Sequence, residues 1–377
     1  MKHVFIVGSR GYHAKYGGWE TFVSNLVDYY DDKSTKFYIS EFSESIKDEY
    51  KVNDNITVNP IYVKQKGSIK MLIYSVKAFK YYLNYIKKNN IKNAYIYVLG
   101  LKLFNYLGLK KNTIKKLGIK IFINPDGLEW KRSKWSYPIK KFFLLSEKMM
   151  LNNCDLIICD GLGIEKYVLE KYPKLKNKTR YIAYGYEEID FNNIDEKKVL
   201  NEFNLKKDDY LLMVGRCVPE NNYELVLKEF INSKIDKKLV VISNLSSTDY
   251  YNNLLEIVNN DKRVIFIDGV YDKEKLACIR KNAYLYIHGH SVGGTNPSLI
   301  EALSLTDLNI LYDVNFNHDI GLDTCLYFRE KNSLTKILDD QNKLDKIKNQ
   351  LGEKAKKRVK ENFTWKIIID KYKEIFR

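Results

Sequence analysis

The chain has 377 residues, 45% hydrophobic and 14% aromatic, with a formal net charge of +16. That length exceeds one ordinary core and suits two domains, and the hydrophobic content excludes a disordered chain. No apolar run reaches the roughly 18 residues of a membrane-spanning helix. The start, MKHVFIVGSRG, carries too short an apolar stretch for a signal peptide, so a cytoplasmic protein is expected.

The five cysteines, Cys154, Cys159, Cys217, Cys278 and Cys325, are scattered without a CxxC pair, which points to reduced structural thiols rather than zinc. Charge is uneven. Between Lys64 and Leu151 about twenty Lys/Arg stand against about three carboxylates. Such a density suits nucleic acid, anionic lipid or a phosphorylated small molecule. A basic nucleic-acid-binding protein is therefore one reading, but no helix-turn-helix, RNP or zinc-finger signature supports it.

Residues 2–7 read as a buried parallel strand. Gly8-Ser9-Arg10-Gly11 and Gly17-Gly18-Trp19-Glu20 follow, ahead of a helix at 18–30 whose apolar face holds Phe22, Leu26 and Val27. The glycines suit either a connection needing positive φ or a loop whose N–H groups approach a ligand. The spacing is not GxGxxG, so the dinucleotide fingerprint fails. Short apolar runs at 35–40, 56–63, 94–99, 119–124 and 155–159, with helical stretches between several of them, predict an α/β fold with a parallel sheet.

Straight after 119–124 comes Asn124-Pro125-Asp126-Gly127-Leu128-Glu129-Trp130-Lys131-Arg132, then Lys134-Trp135. At a strand's carboxyl end Asp126 and Glu129 would enter a cleft, where a carboxylate binds sugar hydroxyls or takes a proton; a turn or N-cap role is the plainer reading of Asp126. Trp130 and Trp135 either pack in the core or stack on a sugar.

A second series of strand-like runs lies at 209–214, 238–243, 263–267, 284–288 and 308–312. Helices are predicted at 222–232, 248–258, 272–281, 297–305 and 333–341. Two Rossmann-like domains result, with a boundary near 175–190 and a ligand cleft at the carboxyl ends of the strands. Gly215-Arg216-Cys217-Val218-Pro219-Glu220-Asn221-Asn222 follows the first strand of this series. Arg216 there either neutralises a diphosphate or forms a surface ion pair.

His288-Gly289-His290-Ser291-Val292-Gly293-Gly294-Thr295-Asn296-Pro297-Ser298 then carries a strand into a helix, with Thr295 or Asn296 as N-cap and Pro297 at the first helical position. Free N–H groups at that helix start would bind an anion, and Glu301 would accept hydrogen bonds from ribose hydroxyls. His288 and His290, two apart in extended chain, would point to opposite faces and make poor joint metal ligands. The stretch 342–377 reads as a charged amphipathic helical region.

These motifs in this order resemble the retaining glycosyltransferases of family 4, which have the GT-B fold of two Rossmann-like domains facing across a cleft. GSRGYHAKYGGWETFV, NPDGLEWKRSKW, GRCVPENN and HSVGGTNPSLIEA look more closely like bacterial rhamnosyltransferases of capsule and exopolysaccharide synthesis. The resemblance implies an acceptor-binding domain at 1–178, with 358–377 crossing back to pack on it, and a nucleotide-sugar-binding domain at 179–357.

By the same resemblance, donor contacts fall on Gly17, Gly18, Arg216, Asn221, Gly293, Gly294, Thr295, Asn296, Ser298 and Glu301. Acceptor contacts fall on Arg10, Trp19, Glu129, Trp130 and Arg132, and catalysis on Asp126, Arg216 and Glu301. The implied donor is dTDP-L-rhamnose, used without cofactor or metal. The implied acceptor is a polyprenyl-diphosphate-linked sugar at the anionic cytoplasmic face of the plasma membrane.

The pattern departs from the wider family in three places. Gly293 stands where a first glutamate is usual, Asn221 where a diphosphate lysine is usual, and Asp126 where a histidine meets the donor 6-hydroxyl. A 6-deoxy sugar has no such hydroxyl, which fits rhamnose. A hexosyl- or N-acetylhexosaminyltransferase using a UDP-sugar is the alternative enzyme, and an inactive scaffold the alternative to catalysis.

Overall fold

The computed structural model describes residues 1–13, 18–65, 67, 69–131, 135–245, 249–292 and 294–377. Gly17, Arg132 and Gly293 therefore lie outside the described residues. The chain divides into two compact units, Met1–Gly185 with Trp365–Arg377, and Tyr186–Thr364.

The first unit holds strands β1 (Lys2–Val7), β2 (Thr35–Ser43), β3 (Tyr50–Lys51), β4 (Ile56–Tyr62), β5 (Ala94–Leu99), β6 (Lys120–Asn124), β7 (Leu156–Cys159) and β8 (Thr179–Tyr181). They form one sheet in the order β3-β4-β2-β1-β5-β6-β7-β8. All neighbours are parallel except β3, which runs antiparallel along the edge. Val4 to Val7 and all of β5 are buried, because helices cover both faces of a parallel sheet and demand unbroken apolar runs.

The second unit holds β9 (Tyr210–Val214), β10 (Lys238–Ser243), β11 (Val264–Asp268), β12 (Leu285–His288), β13 (Asn309–Tyr312) and β14 (Leu326–Phe328). Its sheet is parallel throughout, in the order β11-β10-β9-β12-β13-β14. Helices Tyr223–Asn232, Lys273–Asn282 and Pro297–Leu305 follow the expected apolar periodicity. In each unit the strand order reverses beside the first strand, between β1 and β5 and between β9 and β12. At such a point the connections diverge to opposite sides and leave a crevice at the carboxyl ends.

The region 342–377 is two helices, Gln341–Asn362 and Trp365–Ile375, broken at Phe363-Thr364. The break is pinned within the second unit, where the Tyr186 N–H donates to the Phe363 carbonyl and Tyr186 bridges Thr364. The units part at 185/186 and 364/365 rather than at 178/179 and 357/358. Strand β8 pairs with β7 and so belongs to the first sheet, and the long helix runs unbroken past 357.

The last helix belongs to the first unit. Trp365, Ile368, Ile369, Tyr372 and Phe376 are buried, Phe376 stacks on Phe122 with centroids 5.5 Å apart, and the Tyr372 hydroxyl meets that of Tyr97 at 2.9 Å. Truncating a buried aromatic leaves a cavity and strands its partners. Tyr372→Ala is expected to destabilise the first unit by about 3 kcal/mol, read as a lower midpoint of that unit's transition in urea. An unchanged midpoint would show that the helix is not part of its core.

Candidate functional site

The polar residues of the first unit gather at the carboxyl ends of its central strands. Gly8 follows β1 with φ +114°, and a Cβ there would sit 2.3 Å from the Leu99 carbonyl oxygen at the end of β5. Only glycine permits that approach. The chain then turns outward, so Arg10 is exposed while its N–H donates to Glu20 Oε1 at 2.8 Å. Glu20 lies in the first turn of the helix Gly18–Asp28 and is 5% exposed, so the carboxylate braces the glycine loop from within. Trp19, beside it, is half-buried against Phe22 and Tyr184.

After β6, Asn124 is fully buried and its side-chain oxygen accepts the Asp126 N–H at 2.9 Å. This turn holds Asp126 at φ +65°, a left-handed conformation that a non-glycine residue adopts only when its surroundings fix it. The turn and cleft readings of Asp126 thus merge: the backbone forms a turn and the side chain remains half-buried at the strand end.

Glu129 opens a short 3-10 helix and accepts the Trp135 indole N–H at 2.9 Å. Trp130 packs beside Tyr167 and the Lys171 ammonium, and Trp135 beside Phe143. Both tryptophans therefore pack against the unit's own side chains. Lys171 in turn pairs at 2.9 Å with Glu147, which is 4% exposed and also accepts the hydroxyls of Tyr167 and Tyr172.

Two further residues stand at this pole, and motif reasoning passed over both. Lys102 follows β5 and faces Asp126, Glu129, Glu20 and Arg10. Burial pulls its ammonium below the usual lysine value, against the attraction of the three carboxylates. Asp160 follows β7, is 2% exposed and bonds the Tyr184 hydroxyl. Burial pushes its carboxyl up to about 7, and the charge of Asp126 adds to the rise. The available signal was positional: a polar residue directly after a buried strand.

In the second unit the loops after β9 and β12 are latched together. The Asn222 side-chain amide donates to the Gly289 carbonyl at 2.7 Å, and both the N–H and the hydroxyl of Ser291 donate to the Glu220 carbonyl, at 2.9 and 2.8 Å. A Cβ on Gly289 would fall 2.2 Å from the Asn221 carbonyl oxygen, so glycine is obligatory at the latch. Asn221 is 4% exposed and donates to the Arg216 carbonyl at 2.8 Å. The expected donor contact is thus turned inward, where it braces the arginine loop. Arg216 itself is exposed and makes no ion pair among the described residues, which removes the surface-pair reading.

Helix Pro297–Leu305 is capped by Asn296, whose side chain accepts the Ser298 N–H at 2.9 Å. Pro297 has no N–H, and the Leu299 N–H returns to the Asn296 carbonyl at 3.0 Å. The first turn therefore keeps no free donor, contrary to expectation. The helix dipole and Arg216 remain to meet an anion. Gly294 is half-buried and Thr295 4% exposed at the loop's end. Ser298 and Glu301 share one face, and Arg280 contacts both: it pairs with Glu301 at 2.7 Å and donates to the Ser298 hydroxyl at 3.0 Å.

His288 and His290 do not point apart. Strand β12 ends at His288, so alternation stops there, and the rings stack 4.1 Å apart at 6°. Burial drives His288 well below its ordinary value. It takes His290 to about 3, with nearby Arg216 adding to the effect. Both rings are uncharged at neutral pH. Among the described residues no group of three or more His, Cys, Asp or Glu could hold a metal ion, and the five cysteines are free thiols.

All of this chain aligns with the sucrose-phosphate synthase of Thermosynechococcus elongatus at TM-score 0.77 and 16% identity, covering 98% of that structure. All of it likewise aligns with HepE of Anabaena in complex with UDP at TM-score 0.72 and 12% identity, covering 99% of that structure. The fold is GT-B, two Rossmann-like domains.

Residues 195–358, within the second unit, match the family described as glycosyl transferases group 1. Residues 1–187 match a domain of unknown function, DUF1972. An uncharacterized glycosyltransferase of Methanocaldococcus jannaschii is 24% identical over 241 residues, 61% of this chain; the match spans 60% of that relative's length.

The Asp160 environment gives a pH signature. Its folded value lies near 7 and its ordinary value is 3.8. Between these the unfolded chain loses its proton first, so stability falls as pH rises through that window. Asp160→Asn removes the fall. Its melting temperature is expected to gain on the wild type by about 3 °C or more between pH 4 and pH 8 in scanning calorimetry. A difference constant across that range would refute the assignment.

Proposed function

We propose that the protein is a glycosyltransferase that moves a sugar from a nucleotide-sugar donor held by the second unit to an acceptor held by the first. The observation that carries this reading is the latched pole of the second unit: unpaired Arg216, the helix beginning at Pro297, and the outward carboxylate of Glu301. Arg216 and the helix dipole suit a leaving diphosphate, and Glu301 suits ribose hydroxyls. The cationic side chain and dipole supply positive charge at the diphosphate without calling for a metal.

With retention, the acceptor hydroxyl oxygen bonds the anomeric carbon on the face from which the phosphate oxygen departs. The hydroxyl proton passes to that phosphate, and the nucleoside diphosphate leaves. Asp126, with Glu129 beside it, suits acceptor or sugar hydroxyls at the first unit's pole.

For the donor, a UDP-hexose is the better supported choice. HepE, a protein of the same fold, has been captured with UDP-glucose, and a trehalose-6-phosphate enzyme of E. coli with UDP-2-fluoro glucose. dTDP-L-rhamnose is the second reading, favoured by Asp126 where a histidine would meet a 6-hydroxyl. A thermal-shift panel of UDP, dTDP, GDP and their sugars separates them, since a ligand bound only by the folded state raises its melting temperature. Arg216→Ala and Glu301→Ala are each expected to lower kcat/KM more than about tenfold, about 1.4 kcal/mol of transition-state binding. Near-wild-type turnover in both would sink the donor-site assignment.

A lipid-linked acceptor in capsule or exopolysaccharide synthesis accounts for the basic first unit. Helices Lys70–Lys88, Tyr106–Leu117 and Tyr137–Asn152 are successive neighbours. They expose Tyr81, Leu109, Tyr137, Ile139 and Leu145 among lysines. Apolar side chains between cations suit an anionic lipid surface. No helix among the described residues is long and apolar enough to cross a membrane, so docking would be peripheral. In flotation the protein is expected to rise with vesicles containing phosphatidylglycerol and to remain below with purely zwitterionic ones. Failure to rise with either rejects the docking surface.

A further inference from the structure

We propose that Arg280 is a positioning residue of the donor site, fixing the Glu301 carboxylate toward the ribose hydroxyls of the nucleotide. This rests on the donor-site reading above and adds a residue that no motif contains.

Arg280 lies in the helix Lys273–Asn282 and is 3% exposed. Its Nη1 stands 2.7 Å from Glu301 Oε2, and its Nη2 donates to Ser298 Oγ at 3.0 Å. Ser298 and Glu301 are three apart on one helix and so lie on one face. A planar fork spanning both fixes the rotation of the carboxylate as well as its distance, which the point charge of a lysine does not do. The Ser298 hydroxyl is held in turn by that of Tyr286 at 3.2 Å, and Tyr286 donates to the Val214 carbonyl at 3.2 Å. The chain of contacts thus runs from the end of β9, just before Arg216, to Glu301.

The pair is asymmetric. The Arg280 side chain is 4% exposed and that of Glu301 39%. One carboxylate oxygen is committed inward to the guanidinium, and the other is left to accept hydroxyls from outside. An ion pair kept for stability alone contributes little once desolvation is counted. Arg280 Nε, moreover, has no hydrogen-bond partner among the described residues, so the guanidinium is not arranged for its own satisfaction. Its two bonds go to the helix that begins the donor pole.

The test is calorimetric binding of UDP and of 2′,3′-dideoxy-UDP to the full chain. The wild type is expected to prefer UDP by about tenfold, the worth of a hydrogen bond to a charged group. Arg280→Met and Arg280→Lys should each reduce that preference to about twofold or less while leaving affinity for the dideoxy nucleotide unchanged. Glu301→Gln should do the same, and Arg280→Met should then add no further loss of preference.

A folded Arg280 variant that keeps the wild-type preference, or that weakens both nucleotides alike, overturns the assignment. Arg280→Lys keeps the buried charge and decides the matter if Arg280→Met does not fold. Wild-type protein that binds neither nucleotide overturns the UDP reading of the donor site. Wild-type protein that binds both equally overturns the ribose role of Glu301; this inference falls with either.

Discussion

The fold turns on one close contact, the end of β1 against the end of β5. With Gly8 directly against the Leu99 carbonyl, the first strand reaches its neighbour's end before its chain turns outward, where the strand order reverses. A parallel sheet buried on both faces has few places for polar groups; its carboxyl ends are one, and the reversal opens a crevice there. Arg10, Lys102, Asp126 and Asp160 stand at the ends of β1, β5, β6 and β7 for that reason. The second unit repeats the plan with Arg216 after β9 and the loop after β12, and replaces the close contact with the Gly289 latch.

The two poles handle charge differently. In the first, cations and carboxylates crowd together, and burial shifts Lys102 and Asp160 toward their neutral forms. In the second, the groups behind Arg216 are already neutral. The stacked His288 and His290 are uncharged at neutral pH, and Asn221 fills the place beside the arginine backbone without adding charge. The exposed guanidinium therefore presents its charge outward with no competing ion pair among the described residues. A histidine pair that took up protons would repel it, and because both values are depressed, stability is lost as pH falls below the ordinary histidine value of 6.5.

The strands that carry the core were legible because a parallel strand must be apolar on both faces; β1, β5 and β10 have the bounds their runs imply. Strands β3, β8 and β14 were not, since two or three residues leave no periodicity to read. The glycine-rich entries to helices were visible, but the direction of a side chain was not. Asn221 turns inward because its loop is latched to Gly289, 68 positions on, a contact no local pattern encodes. Free N–H groups were expected at the helix start, yet Pro297 has none and Asn296 accepts those of Ser298 and Leu299. Arg280 and Glu147 are buried charges whose partners lie far away in sequence, and sequence alone gave them the look of ordinary helix-surface residues.

The ownership of the last helix has a consequence for how the protein is made. Its Trp365, Tyr372 and Phe376 complete the core of the first unit, yet they leave the ribosome after the whole of Tyr186–Thr364. The second unit is one continuous stretch and can fold as soon as it emerges. The first must wait with Phe22, Tyr97 and Phe122 uncovered until residues 365–377 arrive. The domain synthesised first is therefore the one finished last, and during that interval its uncovered aromatic face is a natural target for chaperones.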